Sequence, residues 1–293
     1  MDGDRERPAP EIDLVGKLGR AHQALALINT SPRDAPLRLS LAHAKWLLPT
    51  DIVNLCLVLE AAQAMGFPGI ELVPPPPGFI GVYMWRIGFY GLFPQHAPPP
   101  PRSGLGFRDN DQLIELRRFT DLAGILELRD RLPRVLTAAP GAEDVPGGVR
   151  TLRRLAGTVY ELAENAVAHS RRLSPGAPVV GYYMVQRMPN KRTTFLVVGD
   201  AGDGIPATMQ AEFRDLVADV AAIRHALQPG VSGNGGGGNG LFQARRAIDE
   251  IPGSTMTIES GAAVLRVRTD GSEEHQTFPD AAALTRVSFR FPF

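Results

Sequence analysis

Between Arg150 and Ser170 the chain carries its clearest helical pattern, and that pattern has two distinct faces. Leu152, Leu155, Val159, Leu162 and Ala166 recur three or four residues apart and form an apolar stripe, so this helix has to lie on a core. Beside the stripe runs a polar one made of Thr158, Glu161, Asn165 and His169. Glu161 and Asn165 stand four positions apart and project from the same face. Two readings of that face stay open. It is an ordinary solvated surface, or it sets a carboxylate beside a neutral oxygen donor, which suits holding Mg²⁺ and a water near a phosphate.

Two later segments bear on the choice. The apolar run ending Val197-Val198 leads into Gly199-Asp200-Ala201-Gly202-Asp203-Gly204-Ile205-Pro206. A carboxylate at the end of a strand accepts a hydrogen bond from an exocyclic amine, and glycines let the backbone approach a ligand closely. A simple glycine turn after a strand has the same local look. The third segment is Gly230-Val231-Ser232-Gly233-Asn234-Gly235-Gly236-Gly237-Gly238-Asn239-Gly240-Leu241, which opens a helix. Glycine amides ahead of a helix N-terminus form an anion site, and a surface linker has the same composition. No Gly-x-x-x-x-Gly-Lys-Ser/Thr run is present, so nucleotide binding here does not use a P-loop.

Taken in order, Glu-x-x-x-Asn, Asp-x-Gly-x-Gly-Ile and a glycine-rich lid ending Gly-x-Gly-Leu resemble the GHKL superfamily of histidine-kinase-like ATPases. That group includes gyrase-type ATPases, heat-shock chaperones, histidine kinases and the serine kinases that act as anti-sigma factors. The run from Glu161 to Ser170 is most similar to the anti-sigma and sensor-kinase members, and Leu284 to Pro292 resembles the last strand of the family. The resemblance spans residues 110–293, and the run Gly235 to Gly238 departs from it by its excess of glycine.

The resemblance implies a C-terminal α/β sandwich, a mixed sheet with helices on one face, with ATP and Mg²⁺ as cofactors. Asn165 would ligate Mg²⁺, and Glu161 would be the general base or would orient the attacking nucleophile. Asp200 would bind the adenine amine, with Thr285 assisting through water. Gly202, Gly204 and Ile205 would shape the pocket floor, while Gly238, Gly240 and Leu241 would face the phosphates. His169 either reaches the phosphates or sits at the helix end beside the C-terminal dipole. The γ-phosphate would pass to water or to a protein hydroxyl in a regulatory setting. The alternative is a non-catalytic switch, in which ATP closes the lid and exposes a surface for a protein partner.

Ahead of residue 110 the order strand, helix, strand, helix suggests a small α/β domain. Ile12 to Leu27 reads as a helix, Leu37 to Leu41 and Ile70 to Val73 as strands, Ile52 to Met65 as a helix and Phe79 to Tyr90 as another. Residues 1–35 are assigned to a tail and helix, 36–97 to the small domain, and 98–109 to a Pro-rich linker opening with Pro98 to Pro101. The small domain loosely resembles the STAS fold of anti-sigma-factor antagonists, in which a Ser or Thr opening the helix is phosphorylated. Thr50 stands nearest that place here, with a helix-cap role as the favoured reading of it.

Lys+Arg and Asp+Glu both number 31, so the chain has no overall pull toward nucleic acid or an anionic membrane. A single cysteine, Cys56, lies in an apolar run and fits a reducing cytoplasm. The start of the chain is charged, and Phe79 to Phe93 is too short to span a bilayer. Neither the six histidines nor the carboxylates have the spacing of a zinc site, and no histidine stands in a phosphoacceptor context. The expectation is a cytoplasmic ATP-binding protein acting on or through a protein partner, with its oligomeric state open.

Overall fold

The computed structural model describes residues 11–101, 113–139, 141–169, 179–188, 192–231 and 239–293, the side chains of His169 and Ala281 excepted. They form an α/β fold with two sheets. The first holds β1 (Glu11–Asp13), β2 (Leu37–Ser40) and β3 (Ile70–Val73), paired in parallel in that order. Parallel neighbours need a crossover, and α1 (Ala21–Asn29) and α2 (Pro49–Ala64) supply the two. The helix expected from Ile12 to Leu27 is therefore only half a helix. Ile12 and Leu14 are buried on either side of Asp13 in a strand register, and Gly16, at φ +75°, turns the chain before α1 begins.

The expected helix from Phe79 to Tyr90 is also divided, into α3 (Phe79–Arg86) and α4 (Phe89–Leu92). The break falls at Gly88, φ +83°, where the Ile87 carbonyl accepts the Leu116 amide of the second sheet at 2.9 Å. Pro98 to Pro101 have no regular secondary structure, and most of the expected linker lies outside the described residues.

The second sheet contains β4 (Leu113–Phe119), β5 (Gly181–Met188), β6 (Thr193–Asp200), β7 (Thr255–Arg268) and β8 (Glu273–Phe291) in the order β4-β5-β6-β8-β7. All four pairings are antiparallel, so the parallel and antiparallel strands of the fold belong to separate sheets. One face carries α5 (Leu126–Thr137), α6 (Gly148–His169) and α9 (Gly240–Asp249). The stripe residues Leu152, Leu155, Val159, Leu162 and Ala166 are all buried there with Val198, Ile258, Val287 and Phe289.

The opposite face is covered by the N-terminal unit. Ile52 to Leu59 of α2 is apolar but for Asn54, and a helix of that kind is stable only when enclosed. It is enclosed between the two sheets, in one core with Leu39, Leu72, Tyr182, Met184 and Val197. Polar contacts rim this interface: Tyr182 donates to Glu60, and Tyr83 donates to Gln186 Oε1 at 2.6 Å.

After β6 come two short helices, α7 (Ile205–Glu212) and α8 (Asp219–Ala226), folded around a small cluster of Met209, Ala222 and Ala226 with Phe213 and Leu216. β7 runs unbroken through a register shift at Gly261. Gly261 sits at φ +61°, and a Cβ there would meet Asp219 Oδ2 at 2.5 Å, so the irregularity needs glycine. Among the described residues no helix is long and apolar enough to cross a membrane.

Candidate functional site

The ends of β6, β8 and β7 hold one group of the expected residues, and α6 with the start of α9 holds another. β-strand alternation does the first part of the work. Asp200, Thr285 and Ser260 are register partners across three adjacent strands, and Val198, Val287 and Ile258, two residues back along each strand, are buried on the helix face. The three polar side chains therefore form one row on that same face, at the end of the sheet.

Asp200 is buried and accepts the Gly202 amide at 3.0 Å, which fixes the turn that follows β6. Gly204 adopts φ +89°, and a Cβ there would lie 3.2 Å from Ser260 Oγ and 3.3 Å from the Leu284 carbonyl. The Ile205 amide, opening α7, donates to Ser260 Oγ at 2.8 Å. Ser260 Oγ in turn donates to the Leu284 carbonyl at 2.9 Å and lies 3.0 Å from Thr285 Oγ1. A hydroxyl has one proton and two lone pairs. With its proton on Leu284, Ser260 accepts from Ile205 and from Thr285 and is saturated. The Thr285 proton is thereby used, and its lone pairs remain to accept. Asp200 and Thr285 thus present acceptors side by side, which suits a ligand edge rich in N–H donors. Ser260 escaped the reading of the sequence; its signal is the period-two alternation from Met256 and Ile258, which puts it on the helix face opposite Thr285.

The second half of the site joins α6 to α9. An added Cβ at Gly240 would come within 2.9 Å of Asn165 Nδ2 and 3.8 Å of Glu161 Cβ. The first residue of α9 is thus seated directly against the Glu161–Asn165 face of α6. Among the described residues no side chain caps α9, and a helix N-terminus of this kind carries amides suited to an anion. Glu161 and Asn165 stay exposed while the stripe beside them is buried. Partial desolvation, with the Glu164 charge adding to it, pushes the Glu161 carboxyl above the usual carboxylate range, the direction a general base needs.

Leu241 and Ile205 pack against both the main core and the α7–α8 cluster, so the two halves of the site share a hydrophobic floor. Gly230 and Asn239 bracket the lid, and the Gly230 amide donates to Asn239 Oδ1 at 3.1 Å. Gly238 and the His169 side chain lie outside the described residues. Among the described residues no group of three or more His, Cys, Asp or Glu side chains gathers to hold a metal. A Mg²⁺ bound through Asn165 and phosphate oxygens does not need such a group, because this ion retains waters and takes few protein ligands.

Neither a protein-family model nor a curated protein matches the chain. Among solved structures it is similar to the histidine kinase domain of the blue-light activated histidine kinase from Erythrobacter litoralis EL346, with 13% identity. That likeness covers 94% of this chain and 95% of the other at a TM-score of 0.30, a level that says nothing of the site.

Proposed function

We propose that this chain binds Mg²⁺-ATP between the Asp200–Thr285 row, the polar face of α6 and the start of α9, and transfers the γ-phosphate to water or to a protein hydroxyl in a regulatory role. The observation that carries the reading is the seat of Gly240 on Asn165, with a would-be Cβ only 2.9 Å from the amide. It brings the N-terminus of α9, the Asn165 amide and the Glu161 carboxylate to one spot, a combination suited to a phosphate tail.

At the other end Asp200 and Thr285 offer acceptors to the adenine amine, directly or through a water. Bound Mg²⁺ supplies neutralisation of phosphate charge. Glu161 is suited to take a proton from the attacking hydroxyl or water, since its carboxyl is already pushed upward. Asn165 holds the metal side of the site, and the α9 amides hold phosphate oxygens.

Incubation of the chain with γ-labelled ATP and Mg²⁺ tests the catalytic half. Label appearing on protein supports a kinase, and label in free phosphate supports an ATPase. Glu161→Ala should remove either signal while sparing ATP affinity. Binding without turnover in the unaltered chain would reject catalysis and leave ATP as the trigger of a conformational switch.

A further inference from the structure

The end of the second sheet carries two rows of register partners, one on each face. On the helix face lies the row Asp200–Thr285–Ser260. One residue back along β6, and one residue over on β8 and β7, lies the row Gly199–Arg286–Glu259, again in register across the three strands. Alternation turns this second row to the opposite face, where the N-terminal unit sits.

That unit docks on the second row at two points. At Gly199 a Cβ would lie 3.0 Å from Leu57 Cδ1 and 3.2 Å from Val53 Cγ1, so α2 is seated against bare backbone immediately before Asp200. At Glu259 a buried polar knot closes the interface. Its carboxylate accepts from Arg286 Nε at 3.1 Å and Nη2 at 2.7 Å. It also lies 2.8 Å from His22 Nδ1 of α1, accepts the His22 amide at 3.3 Å and accepts Asn54 Nδ2 of α2 at 3.4 Å. Glu259, Arg286, His22 and Asn54 are all at most 3% exposed. A knot so buried is tightly bound when every partner is in place and costly when one is missing, so docking here is sensitive to small displacements of these strands.

We infer that the N-terminal unit regulates the nucleotide site through these back-to-back rows: nucleotide held by Asp200 and Thr285 tightens the docking of α1 and α2 on Gly199, Arg286 and Glu259. The inference rests on the nucleotide reading above. Consecutive residues of one strand share a peptide unit, so a ligand that fixes one row fixes the position of the next. By linkage the effect is reciprocal: whatever loosens the docking weakens nucleotide binding by the same factor.

The chain carries its own probe. Cys56, the single cysteine, lies on α2, has no solvent exposure and is packed in the shared core, where burial pushes its thiol up. A thiol reagent reaches it only when α2 lifts from the sheet, so the labelling rate follows the opening equilibrium. The experiment is labelling of the unmodified full chain with and without saturating Mg²⁺-ATP, across low urea concentrations, with ATP binding followed in parallel by calorimetry. The expected result is labelling slowed about tenfold by ATP, with a urea dependence clearly shallower than that of global unfolding, the mark of a sub-global opening. His22→Gln should speed labelling and weaken ATP binding by a matching factor. ATP binding with unchanged labelling overturns the coupling and leaves the nucleotide reading intact. Slowing confined to the urea-steep regime overturns it too, because the protection is then that of the whole fold. Absence of any ATP binding overturns both.

Discussion

Replacing Glu259 by Gln removes the negative centre of a buried knot and leaves the Arg286 guanidinium, 3% exposed, with Ser288 Oγ at 3.2 Å and a neutral amide in place of its carboxylate. The cost follows from the carboxyl itself. Desolvation of the 1%-exposed side chain works against its charge, but Arg286 and His22 outweigh it and hold the group at about 2 against an ordinary 4.5. At 1.36 kcal/mol per decade this corresponds to about 3 kcal/mol, at the lower edge of the roughly 3–5 kcal/mol typical when one partner of a buried ion pair is removed. For 293 residues the unfolding entropy is about 0.6 kcal/mol/K, so E259Q should lower Tm by about 5 °C. The sign in pH is fixed as well. The folded carboxyl lies below its unfolded value, so its contribution is complete above about pH 4.5 and lost as pH falls from there toward 2. Thermal melts followed by circular dichroism should therefore show wild type and E259Q converging over that window. An E259Q/R286M double variant, which removes both charges, should recover most of the loss. Equal melting of wild type and E259Q at pH 7 would refute the view that this knot holds the two units together.

Other consequences are independent of it. Gly240→Ala puts a methyl 2.9 Å from Asn165 Nδ2; it should weaken Mg²⁺-ATP binding about tenfold by calorimetry while changing stability by less than about 1 kcal/mol. Gly199→Val forces a side chain between β6 and α2, where even a Cβ meets Leu57 at 3.0 Å, and should cost roughly 2–3 kcal/mol in urea unfolding. Glu161→Gln should reduce turnover by about 10²–10⁴ with affinity unchanged. If Glu161 is the base, turnover rises with pH through a midpoint above the ordinary 4.5, and Glu164→Gln should move that midpoint down, because the Glu164 charge helps hold it up.

The parts of the fold set by local periodicity were legible in the sequence. The apolar stripe of α6, the strand running into Asp200 and the opening of α9 at Gly240 are each encoded within a few turns of chain. What escaped depends on contacts distant in sequence. β1 becomes a strand only because β2 pairs with it, and β8 extends through the polar stretch from Glu273 because β7 lies alongside. The polar character of Glu273 to Asp280 hides a strand whose outer half is exposed. The burial of α2 was written in Ile52 to Leu59, a run apolar except for Asn54, but a run of that kind does not say which surfaces enclose it. Glu259, His22 and Asn54 lie in segments with no motif, and their convergence with Arg286 comes from strand register and from the docking of α1 and α2. The same holds for Ser260, which gains its place from its strand partner Thr285.

The central claim is that the chain binds Mg²⁺-ATP with Asp200 against the adenine amine. Calorimetric titration of Mg²⁺-ATP into the full chain and into an Asp200→Asn variant tests it most directly. The account predicts saturable binding by the unaltered chain and a loss of about tenfold or more in the variant, whose melting temperature stays close to that of wild type. Equal affinity in the two proteins would contradict the adenine assignment, and no binding by the unaltered chain would contradict the nucleotide reading as a whole.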